Sequence, residues 1–151
     1  MFHIDLHVLA SYHADMDPPR GVCAIQLDRN PRALWGGSIV RPTGVGPEAS
    51  LPAALAKALT LVSEHGKDTT AVVHVDQETY DTIAEVASGL PAACQDAAEA
   101  WKDVASLTAM LGDRCQVVGD LDTARQVALE RMTGDSLSRA GIPLRGPRGH
   151  Y

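Results

Sequence analysis

The chain has 151 residues and a mass of 16.0 kDa, the size of one ordinary domain. Hydrophobic residues make up 45% and charged residues 21%, which excludes wholesale disorder, and aromatics at 4% leave the core to Ala, Val, Leu and Ile. A net charge of −6 excludes a protein that coats nucleic acid through overall basicity, and no run nears the roughly 18 apolar residues of a membrane span.

The start, Met1-Phe2-His3-Ile4-Asp5, lacks the basic and apolar stretches of a secretory signal. Cys23, Cys94 and Cys115 form no C-x-x-C pair. Together these features predict a cytoplasmic chain with buried, unbridged thiols and no zinc ribbon. Residues 3–10 alternate, with Ile4, Leu6 and Val8 on one face and His3, Asp5 and His7 on the other, which predicts a strand. After the turn-rich 15–21 segment, residues 22–27 form a second strand. A break at Asp28-Arg29-Asn30-Pro31 leads to a third over 33–40, giving an antiparallel meander.

The pattern then becomes helical. Ser50 is a candidate N-cap with Pro52 in the first turn, and Leu51, Leu55, Ala58, Leu59 and Val62 form an apolar stripe that ends near His65-Gly66. Residues 72–75 form a central fourth strand, 78–87 a second helix and 92–111 an alanine-rich third. Residues 115–118 form a fifth strand, and a last helix runs from Asp122 to about Met132. From 133 to 151 Gly, Pro and Arg dominate, which predicts a flexible C-terminal tail beyond a domain of residues 1–132. The order βββ-α-β-α-α-β-α implies an α/β fold with one mixed sheet of five strands covered by helices, the fourth strand parallel to the first.

Local sequence carries a resemblance. Pro18-Pro19-Arg20-Gly21-Val22-Cys23-Ala24-Ile25 resembles the Gly/Pro-rich turn and second strand of the ribonuclease H family. Trp35-Gly36-Gly37, the Ala/Leu-faced first helix and Val72-Val73-His74-Val75-Asp76-Gln77-Glu78-Thr79-Tyr80 resemble the pieces that follow, and Asp122 stands near the family's last acidic position. The resemblance covers residues 1–132 and implies a ribonuclease H-like fold. It also implies a nuclease that cuts the RNA strand of an RNA–DNA hybrid with Mg²⁺ or Mn²⁺. Two such ions about 4 Å apart are held by four carboxylates, because hard cations take oxygen ligands.

In this register Asp76 and Asp122 keep the catalytic, metal-binding carboxylates, while the first-strand Asp falls on Ala10 and the first-helix Glu on Ser50. Glu48, two residues before Ser50, is the replacement ligand considered, and Asp15 and Asp17 are further acids in the loop after the first strand. Asp5 has the opposite parity to position 10 and should face the other way. His3 and His7, about 13 Å apart along a strand, are too far apart to chelate one ion. His74, two residues before Asp76, could assist proton transfer or be a half-buried strand residue satisfied by its neighbours.

The expectation is a ribonuclease H-like protein that handles nucleic acid, hybrid or structured strand, with weakened or lost metal-dependent cleavage. Arg139, Arg145 and Arg148 of the tail would touch phosphates. The competing expectation is a non-enzymatic module on the same scaffold that binds a protein partner, with the acidic pair a remnant. No membrane association is expected under either reading.

Overall fold

The computed structural model of the chain describes residues 2–14, 19–30, 37–42, 46–89 and 95–139. Strands β1 (Phe2–His13), β2 (Arg20–Asn30) and β3 (Gly37–Pro42) lead into helix α1 (Pro47–Glu64). Strand β4 (Thr69–His74), helices α2 (Gln77–Ala87) and α3 (Gln95–Leu111), strand β5 (Cys115–Val118) and helix α4 (Thr123–Arg139) follow. The sheet runs β3-β2-β1-β4-β5. β1–β2 and β2–β3 are antiparallel, whereas β4 lies parallel to both β1 and β5. The β1–β4 ladder pairs Phe2 with Thr69 and His7 with His74.

Side-chain alternation sets the two faces. Ile4, Leu6 and Val8 of β1, Cys23, Ile25 and Leu27 of β2, and Ala71, Val73 and Val75 of the β4 segment point to one side and are buried. There they join Ala54, Leu55, Ala58, Leu59 and Val62 of α1, with Val104 and Leu111 of α3 behind them, in one cluster. Leu55 and Leu59 are each 2% exposed, so the expected packing of this helix over the sheet is present. The opposite side carries α4, whose Leu129 packs with Leu121 and Ala24 in a smaller cluster bordered by Leu9 and Met132.

Several sequence boundaries are corrected. β2 continues through Asp28, Arg29 and Asn30, because its ladder with β1 runs to the His3–Asn30 pair. β3 spans Gly37–Pro42, and positions 33–36 of its expected range lie outside the described residues. Ser50 is not a cap. Helix α1 begins at Pro47 after Gly46, and the Ser50 hydroxyl donates to the Gly46 carbonyl at 3.0 Å inside the first turns. Pro47, with its preset φ and missing N–H, is the start signal.

Pro52 therefore lies inside the helix and is fully buried. Gly66 after α1 takes φ 89°, the left-handed conformation that closes a helix at low cost for glycine. α4 runs seven residues past Met132. Thr133 is buried and donates to the Leu129 carbonyl at 3.0 Å, and Gly134 is buried as well. Packing against the sheet outweighs the weak helix propensity of this stretch. Among the described residues no helix is long and apolar enough to cross a membrane.

Candidate functional site

Asp76 and Asp122 sit where strands give way to helices. Beyond the β4–β5 ladder the Val75 amide donates to the Val118 carbonyl at 3.0 Å, and the Leu121 amide donates to the Val75 carbonyl at 3.0 Å. These bonds lay segment 118–121 alongside Val75, so Asp76 and Asp122 each follow a bonded position by one residue. The fold thus brings the two acids to one end of the sheet. Each carboxylate also caps a helix. Asp76 accepts from the Thr79 amide at 3.2 Å through one oxygen and from the Thr79 hydroxyl at 2.6 Å through the other. Asp122 accepts from the Arg125 amide at 2.7 Å. An acidic side chain at a helix N-terminus satisfies an orphan amide and meets the positive end of the helix dipole.

The remaining positions add no ligand set. Ala10 is partly buried against the main core, on the face opposite Asp5, and offers no donor atom. Ser50 is 4% exposed, its hydroxyl committed to Gly46. Glu48 is exposed in the first turn of α1. Among the described residues no three His, Cys, Asp or Glu side chains are grouped as a metal site, so Glu48 does not complete a set with Asp76 and Asp122. Both Asp76 oxygens accept from Thr79, and among the described residues no third ligand joins Asp76 and Asp122. Asp15, Asp17, Arg145, Arg148 and Cys94 lie outside the described residues, while Arg139 is the last residue of α4. Cys23 and Cys115 are free thiols, and burial pushes the Cys23 thiol up to about 12.

On the α4 side of the same strands lies a polar network that the sequence did not reveal as one. The His74 ring places Nε2 at 2.9 Å from Asp5 Oδ1 and Nδ1 at 2.7 Å from Asp120 Oδ1. Ionised carboxylates only accept, so the two contacts favour the doubly protonated ring of His74. Burial disfavours that charge, but the hydrogen bonds to Asp5 and Asp120 outweigh it and raise the His74 pKa above its usual value. Burial likewise opposes the Asp5 carboxylate, yet the bond from His74 and the charges of His3 and His74 hold its pKa below normal.

His7 stacks on His74 with ring centroids 4.6 Å apart and planes 11° from parallel. Burial, then Arg125 and His74, lower its pKa below the usual value. His7 Nδ1 is buried without a hydrogen bond, 3.8 Å from Asp28 Oδ2. Arg125 of α4 donates to Gln26 and stands 3.8 Å from Asp28, and His3 shares a hydrogen bond with Thr70 at 3.0 Å. The network joins β1, β2, β4, the segment before Asp122 and the first turn of α4. The sequence signal was available in the parity of Asp5 and His74, which become face-mates once β1 and β4 are parallel in this register.

No protein-family profile and no curated protein sequence matches the chain. Solved structures do. LC11-RNase H1, isolated from compost by a metagenomic approach, superposes with a TM-score of 0.68 at 12% identity, covering 93% of this chain and 99% of that one. RNase H1 from the halophilic archaeon Halobacterium salinarum superposes with a TM-score of 0.61 at 13% identity, over 89% and 98% of the two chains. LC11-RNase H1 in complex with an RNA/DNA hybrid gives 0.54 at 12% identity, over 91% and 98%. With the sheet order and the parallel β1–β4 pairing, these superpositions show that the chain has the ribonuclease H-like fold.

Proposed function

We propose that the chain handles nucleic acid, engaging an RNA–DNA hybrid or a structured strand, with metal-dependent cleavage weakened or lost. The observation that carries the reading is one sheet end. A fold shared along its length with RNase H1 structures, one of them bound to an RNA/DNA hybrid, keeps Asp76 and Asp122 together there. Ala10 and a buried, committed Ser50 stand where the family register would have acids. Two Mg²⁺ or Mn²⁺ ions bring four positive charges, and two carboxylates offset two. Arg139, Arg145 and Arg148 lie in a stretch with no acid after Asp135 and supply phosphate contacts despite the net charge of −6.

The test pairs binding with turnover. Fluorescence anisotropy at low salt should show hybrid binding, and replacing the three arginines by Ala should reduce the salt slope by about 2–3. Hydrolysis of the hybrid with Mg²⁺ or Mn²⁺ should be absent or weak and should rise in the Ala10→Asp, Ser50→Glu double variant. Turnover by the natural chain at about 1 per second or more would show the carboxylate register to be wrong. Failure to bind any hybrid or structured strand would replace this reading with the protein-binding module.

A further inference from the structure

Between β1 and the first turn of α4 lies a side chain that the polar network holds without satisfying. The His7 side chain is 14% exposed, and its Nδ1 is buried with no hydrogen bond. A proton on that nitrogen would create a buried cation with an unpaired donor, which is a costly combination.

The surrounding charges come from four elements. Cations approach from two of them, His74 of β4, stacked on the ring, and Arg125 of α4. His3 and Asp5 of β1 and Asp120 of the segment before α4 are engaged with His74 or with each other. Asp28 of β2 is placed differently. Its Oδ2 lies 3.8 Å from His7 Nδ1 and also 3.8 Å from the Arg125 guanidinium. One carboxylate oxygen thus stands between a strand residue and the helix that covers the strand. Arg125 also donates to Gln26, the residue paired with His7 in the β1–β2 ladder.

We propose that His7 is an acid-sensitive latch, holding the first turn of α4 to β1 and β2 while uncharged and loosening it on taking a proton. At pH 7.5 the ring is uncharged, above both its ordinary pKa and its lowered one. Proton uptake gives Nδ1 an N–H that needs an acceptor, and Asp28 is the carboxylate beside it. Two cations then compete for one oxygen. Arg125 is the one that leaves, because its side chain is 33% exposed and can turn to water. Its bond to Gln26 goes with it, and water reaches the imidazolium as the turn opens.

The direction with pH follows from linkage. Burial first, then Arg125 and His74, lowers the His7 pKa in the closed state, against the pull of Asp28 and the Gln26 backbone. Opening returns it toward about 6.5. Each pH unit below that favours opening by up to about tenfold, until the closed-state value is passed. His74, with its raised pKa, titrates on the other side of the ordinary value, so the two rings are separable.

The test is hydrogen exchange by NMR on the full chain between pH 7.5 and 5, corrected for intrinsic rates, with the His7 ring followed in the same samples. The Gln126 amide, bonded to the Asp122 carbonyl in the first turn, reports on the latch. Its protection should fall along the His7 titration and stay below that of Leu59 in α1 throughout. His7→Phe keeps a ring against His74 and His7→Gln keeps a polar group. Either one, once circular dichroism shows it folded, should lose this pH dependence. Arg125→Gln should lower Gln126 protection at pH 7.5 toward the acid level of the natural chain. Protection that ignores the His7 midpoint, that keeps its pH dependence without His7, or that is unchanged in Arg125→Gln overturns the proposal. So does protection equal to that of Leu59, since α4 would then open only with the whole chain. No nucleic acid is present in these samples, so the outcome is independent of the proposed function.

Discussion

The two faces of one sheet are built on opposite principles. Toward α1 and α3 the strands present Ile4, Leu6, Val8, Ile25 and Val73, and they join a cluster of hydrophobic side chains. Toward α4 the alternate residues of the same strands are His3, Asp5, His7, Gln26, Asp28 and His74, and only a small apolar cluster around Leu129 accompanies them. The first face gains stability from area removed from water, which is insensitive to pH. The second is tied by directional, titratable bonds that fix which segment sits over which strand but return less free energy for each group buried. Specificity of placement and bulk stability are thus divided between the faces.

The sharpest way to break this contrast is to empty the apolar side. Leu59→Ala should destabilise the chain by about 2–5 kcal/mol in urea unfolding, because the side chain is only 2% exposed. A loss below about 0.5 kcal/mol would mean that the α1 face is not the main store of stability.

A smaller effect is expected on the polar side. His74→Gln should cost about 1–3 kcal/mol at pH 6, with most of the loss from the Asp5 bond and little from Asp120, which is 59% exposed. Its sign with pH is fixed by the raised His74 pKa. The contribution is complete below the unfolded value of about 6.5 and fades as pH rises through the folded value. The lowered Asp5 pKa sets the other limit, so the bridge is lost again as pH falls through that value. Melting temperatures of the natural chain and the variant should therefore converge as pH rises through the folded His74 pKa, and a gap that widens as pH rises contradicts the bridge.

The smallest effect concerns Asp76. As a cap, Asp76→Ala should cost about 1 kcal/mol and Asp76→Asn much less, because Asn can still accept from the Thr79 amide. Equal losses in the two variants, read from urea midpoints, would show that the charge matters more than the cap.

Strand content was legible where burial alternates with period two, as in β1, and where a β-branched run such as Val72-Val73-His74-Val75 needs cover on both faces. The β1–β4 pairing followed from element order. Helix ends were less legible, because Ser50 and Pro47 both signal a start and only packing chooses between them. Gly134 reads as a breaker, yet the burial of Leu129 and Thr133 carries α4 through it. At the site, the order of elements puts Asp76 after β4 and Asp122 just before α4, where the structure has them. His74 is half-buried and satisfied by its neighbours, as one reading of it expects, but which neighbours is not legible because they lie 69 and 46 residues away in the chain.

Those long separations bear on how the chain is made. The meander can zip from its own turns as it leaves the ribosome, but the seam between β1 and β4 joins His3 to Thr70, 67 residues later. Until β4 and α1 emerge, Ile4, Leu6 and Val8 have nothing to cover them, and one edge of β1 stands open. Closing such a distant pair carries the entropy of a long loop before any contact repays it. Nascent chains stalled before residue 69 should therefore be the most prone to associate, and those released past His74 the first able to shield that edge.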